Sequence, residues 1–239
     1  AGCVHTVAGL FAFGVLLNLG PRVGKYNDDG SMNDLEGHSL VLSFVGLLTL
    51  IVGFFGFLGA CLIWAGSDFG GWVNIYGAPA TLSSFAFNTL MGLAGGMIGA
   101  FWWSKGNPFW MMSGGLAGIF ICAGGLDIWY PGFAFILGTI AGCVIIPANN
   151  WLHNTFKIDD CVGAVSIHGV LWYLRYVVCR TFCFWFPSSR RYSSFKSNWS
   201  NCRCYCNGFN WICTRLCYFI YYENGWLVTC SGSRTRSRY

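Results

Sequence analysis

Charge is what this 239-residue chain lacks: Asp, Glu, Lys and Arg make up 10% of it, where a soluble domain carries about 25%. The few charges are also unevenly spread. None falls between Glu36 and Asp68, Asp68 and Lys105, Lys105 and Asp127, or Asp127 and Lys157, gaps of 31, 36, 21 and 29 residues. A helix that crosses a bilayer needs about 20 mostly apolar residues, so every gap has room for one. This distribution speaks against a water-soluble core. An initiating Met and a signal peptide are lacking too. Apolar sequence starts at Ala1, which reads as a fragment cut inside a helix.

What is present is 55% hydrophobic residues and 33 glycines. The expected fold class is all-α, a polytopic helical membrane protein. Spans are expected over 1–19, 40–64, 83–103, 109–126, 131–152 and 161 to about 173. Gly92, Gly96 and Gly99, then Gly114 and Gly118, then Gly138 and Gly142 recur at helical spacing. Small residues four apart let helix backbones approach closely in lipid, so a tightly packed bundle is expected. Arg22, Lys25, Lys105 and Lys157 lie in the loops after the first, third and fifth spans. By the positive-inside rule these loops are cytoplasmic and the chain starts outside.

The composition breaks after about Val170. Residues 1–170 carry 4 basic and 8 acidic residues, a net of −4; residues 171–239 carry 10 basic and 1 acidic, a net of +9. The tail holds 3 of the 33 glycines but 8 of the 13 cysteines. Its "CRCYC", 202–206, spaces cysteines by one residue, whereas zinc motifs space them by two to four, so no metal is assigned. A shifted reading frame accounts for more. Cys codons read one base later begin GT or GC, giving Val or Ala, and Trp TGG becomes Gly, as do Arg AGG and CGG. With suitable codons, residues 197–222 become QIGQIVGAIVMALIGFVPGYVISFIM, a charge-free apolar helix. The stretch from Leu171 to Phe182 likewise becomes Gly-rich. Residues 1–170 are therefore read as the membrane domain and 171–239 as an aberrant, frame-shifted segment.

Four histidines remain. His38 and His153 are expected on solvated faces, in polar loops. His5 and His168 sit inside apolar spans, where a polar group is costly and usually faces a cavity, a pathway or another polar group. At 1.5 Å rise per residue His168 lies about 12 Å along its helix from Asp160, at membrane depth. Each could be a packing histidine; together, on separate helices, they suggest a shared site. Asp160 is read as a structural acid at the start of the His168 helix, where a carboxylate is favoured. In "GFFGFLGAC" (53–61), Phe54, Phe57 and Cys61 fall roughly on one helix face. Their rings could attract a cation or simply pack.

"VHTVAGLFAFGVLLNLGPRVGK" (4–25), "GHSLVLSFVGLLTLIVGFFGFLGA" (37–60), "FNT" (87–89) and "KIDDCVGAVSIHGV" (157–170) resemble the ammonium transporter (Amt/Rh) family. The resemblance covers 1–170, and the frame-shifted text resembles that family's last helix. It implies the second half of an eleven-helix bundle in a homotrimer, one pore per subunit, conducting ammonium or ammonia. It implies transport rather than catalysis, a multi-pass location in the plasma membrane, no cofactor and no nucleic-acid partner. By resemblance His5 and His168 are the twin pore histidines, Phe57 an external-gate ring, and Phe54 and Cys61 stand at the outer cation site. Asp160 matches the acid at the cytoplasmic end of the tenth helix. The chain departs from the family at Leu58, where Asn is usual, at Cys61 for Ser and at Cys161 for Pro. A thiol is the weaker hydrogen-bonding group, which bears on recruitment of the cation. Two rivals stand beside this reading: a bis-histidine haem electron carrier with His5 and His168 as axial ligands, and a non-functional fragment of a transporter gene.

Overall fold

The computed structural model describes residues 2–64, 81–126, 129–171, 174, 227–228 and 234–235, side chains of 2–3, 61–64 and the last four excepted. The chain divides into two compact units, Ala1–Arg191 and Tyr192–Tyr239. In the second, the described residues are two short antiparallel strands, β1 (Leu227–Val228) and β2 (Arg234–Thr235). "CRCYC" and nearly all of the segment assigned to a frame shift lie outside the described residues.

The first unit is helical. Helices α1 (Gly2–Leu19), α2 (Leu40–Trp64), α3 (Leu82–Ser104), α4 (Pro108–Cys122) and α5 (Pro131–Phe156) are followed by a sixth segment, α6, at 164–171. Their limits follow local chemistry. The Thr81 hydroxyl accepts from Ser84 N–H at the start of α3. Asn107 Oδ1 accepts from Phe109 and Trp110 N–H at the start of α4, just before Pro108 at the first helical turn, where a missing N–H costs nothing. Helix α4 stops at Cys122 rather than at 126 as expected from hydropathy, its end closed by Gly125 N–H to Cys122 O. Three helices, α2, α3 and α5, are long and apolar enough to cross a membrane; α1 and α4 are shorter apolar helices.

Helices α3, α4 and α5 pack tightly on one another, and α1 packs chiefly on α6. The glycines explain the first cluster. A Cβ on Gly96 would run into the Gly114 backbone, one on Gly118 into Gly92, and one on Gly142 into Gly96. Gly92 and Gly96 thus serve α4 on one side and α5 on the other. Larger apolar side chains, among them Phe85, Ile119, Ile121, Leu137 and Ile145, fill the remainder of this core. Asn88, fully buried on α3, donates through Nδ2 to Leu126 O at 2.7 Å and Trp129 O at 2.8 Å. It ties the α4–α5 turn to α3 without water, which lipid cannot supply.

Candidate functional site: a buried histidine pair

Residues 163 positions apart meet in this unit: His5 Nδ1 lies 3.1 Å from His168 Nδ1. The ring planes differ by 6° with centroids 5.1 Å apart, so the rings meet edge to edge through their δ nitrogens. His5 keeps 8% of its surface. It comes from the first turns of α1, and His168 from α6.

The backbone carrying His168 is unusual. Ser166–Val170 is π-helical, closed by Leu171 N–H to Ser166 O. Such wide turns are rare and often sit at functional sites. Below it Asp160 caps the segment. Its carboxylate accepts from Ala164 N–H at 2.8 Å, Val165 N–H at 2.9 Å and Ser166 N–H at 3.2 Å. Burial pushes this carboxyl above its ordinary value against the pull of those backbone donors. The Ser166 hydroxyl bonds Asn149 Oδ1 on α5 at 2.9 Å, so α6 is fixed to α5.

A second polar cluster holds the loop after α1 against the turn before α6. Arg22 donates to Asp159 through Nε at 2.5 Å and through its terminal nitrogen at 3.1 Å. Burial alone would raise the Asp159 carboxyl, but the Arg22 hydrogen bonds and charge hold it below its ordinary value. The Tyr26 hydroxyl reaches both His153 O at 3.0 Å and Ile158 O at 2.7 Å, and burial raises that phenol. His153 corrects the sequence reading: it is buried, and its Nε2 accepts from Asp160 N–H at 2.9 Å. The chain folds back over the end of α5 and removes this imidazole from solvent. His38 is exposed.

The rings around the pair are partly those the sequence singled out. Phe57 on α2 lies edge-on to His5 at 6.5 Å and is 40% exposed. Phe54 is edge-on to Phe120 at 5.2 Å. Cys61 stands on the last turns of α2, its side chain outside the described residues. Leu58 is buried in the core. Phe120 on α4 was missed. Its ring centroid is 4.5 Å from that of His5 and 4.7 Å from that of His168, nearer to His5 than Phe57 is. Nothing marked it, since it is one of 21 Phe in an apolar helix. Among the described residues no three His, Cys, Asp or Glu side chains converge on a metal position. Two axial imidazoles must stand on opposite sides of one iron, and rings in direct contact through their δ nitrogens leave no place between them for it.

Comparison with known proteins completes the description. The profile described as Ammonium Transporter Family matches residues 1–183. The chain belongs to the ammonium transporter family. It is 31% identical over 179 residues to the ammonium transporter Amt1 of Haloferax mediterranei, covering 71% of this chain and 34% of that protein. It is 32% identical over 174 residues to Amt2 of Archaeoglobus fulgidus, covering 71% and 34%. A solved structure, a sensor Amt protein, superposes with a TM-score of 0.62 at 28% identity, covering 73% of this chain and 41% of that one. The chain thus spans about a third of the length of these curated relatives. Membership and the apolar helices make it a multi-pass membrane protein of helical fold.

Proposed function

We propose that the chain forms part of a membrane pathway for ammonium or ammonia, lined by His5 and His168. The observation that carries this reading is the 3.1 Å contact between two imidazoles carried on two apolar segments. In a neutral pair one Nδ1–H donates and the other nitrogen accepts, since a neutral imidazole offers one of each. The pair stays uncharged, and the Phe120 and Phe57 rings keep its surroundings apolar. A bare cation entering such a place bears a large desolvation cost. Ammonium therefore gives up its proton to water outside the apolar segment before it passes, and ammonia travels past the histidines.

Phe57, more exposed than Phe54, serves as the outer gate. Phe54 and Cys61 form the cation site beside it, with Cys61 a weaker partner than a hydroxyl. Asp160 is the structural acid that holds α6. The side bearing Arg22, Lys25 and Lys157 faces the cytoplasm, in the plasma membrane, and three copies assemble. The family match runs to residue 183, past the break in composition near Val170, and the basic, Cys-rich segment 171–239 is read as text from a shifted frame. Uptake of methylammonium into proteoliposomes tests the gate: Phe57→Ala is expected to change uptake rate and the preference for ammonium over methylammonium by several-fold. Unchanged uptake and preference reduce Phe57 to packing.

A further inference from the structure

Gly9 stands one helical turn after His5 on α1, and it meets α6 at the residue next to His168. A Cβ built on Gly9 would lie 2.5 Å from Gly169 N, 2.7 Å from the His168 carbonyl carbon and 2.8 Å from Gly169 Cα. All three atoms are backbone, so no side chain can swing aside; one helix has to move. Helix α6 is not free to retreat, because Ser166 is bonded to Asn149 on α5 and its first turn is capped by buried Asp160. The displacement therefore falls on α1, which carries His5. The imidazole contact has little slack: it stands at 3.1 Å, and a separation of about 3.6 Å is no longer a hydrogen bond.

We propose that Gly9 is a positioning residue for the histidine pair, its missing side chain letting α1 approach α6 closely enough for the two δ nitrogens to bond. The crossing is asymmetric. A Cβ on Gly169 meets only Val165 Cγ1 at 3.7 Å, an ordinary contact, although Gly169 belongs to the same crossing and adjoins His168. The glycine that matters is thus the one on the neighbouring helix. The proposal rests on the histidine pairing set out above and can fail separately from it.

The test is solid-state NMR of the 239-residue chain in lipid bilayers, labelled with nitrogen-15 in histidine alone. Only an N–H···N bond between two histidines then gives a nitrogen–nitrogen scalar coupling; the His153–Asp160 bond is silent because Asp160 N is unlabelled. The coupling is expected in the parent chain, lost in Gly9→Ala and kept in Gly169→Ala. No coupling in the parent chain overturns the pairing itself. Coupling retained in Gly9→Ala overturns the positioning role while the pairing stands. Loss in Gly169→Ala overturns it as well, since general helix flexibility then explains the glycines. This last arm decides even if Gly9→Ala does not fold.

Discussion

Phe120 presses on both imidazoles at once, and its position shows what single residues contribute. Truncating a buried Phe to Ala costs roughly 3–5 kcal/mol in soluble cores when the cavity persists. Here the space opened would lie beside the histidine pair. Phe120→Ala is therefore expected to lower the melting temperature and to speed diethyl pyrocarbonate modification of His5 and His168. Equal modification rates would show that the ring does not shield them. At this scale the sequence was legible where polarity contrasts with surroundings: His5 and His168 stand out because each is a lone imidazole in an apolar run. Phe120 carries no such contrast. His153 misled for the opposite reason: its polar neighbours, Asn154 and Lys157, suggest solvent, and only the fold-back of the next residues buries it.

Among elements, the loop after α1 depends most plainly on charge. Arg22 and Asp159 join it to the α5–α6 turn, and the single Tyr26 hydroxyl proton is shared between two backbone oxygens there. Because the Asp159 carboxyl is held below its ordinary value in the fold, its contribution is fully present above the unfolded-state value of about 4. It is lost as pH falls through the lower folded-state value. Hydrogen exchange of residues 20–36, taken relative to the intrinsic rate at each pH, is therefore expected to be slower at neutral pH and to quicken in the acid range. In Arg22→Gln the exchange should be faster at neutral pH and change less on acidification. A wild-type loop whose exchange ignores acid would remove the pair from this role. The helices were legible because charge-free length and glycine spacing mark them. The π turn at Ser166–Val170 was not, since it arises from the buried Asp160 cap and the Asn149 bond, which the sequence shows only as ordinary polar residues.

For the whole molecule, the break in composition near Val170 points to the gene. Its nucleotide sequence is expected to hold an apolar open frame, offset by one base, across the codons for 197–222; the absence of such a frame contradicts the shift. The bundle itself was open to reading from residues 1–170, because α3, α4 and α5 are held by glycine contacts at regular spacing. Which helices bring His5 and His168 together was not, as 163 residues of chain separate them and only packing of α1 on α6 closes that distance. If this pair lines the conducting path, changing either ring changes what passes. The most direct measurement is flux and charge movement in proteoliposomes under an inward ammonium gradient, for the parent chain, His5→Ala and His168→Ala. Flux above that of empty vesicles is expected, reduced or altered in the charge it carries by either substitution. Flux and charge unchanged in both variants, or a parent chain no better than empty vesicles, would contradict it.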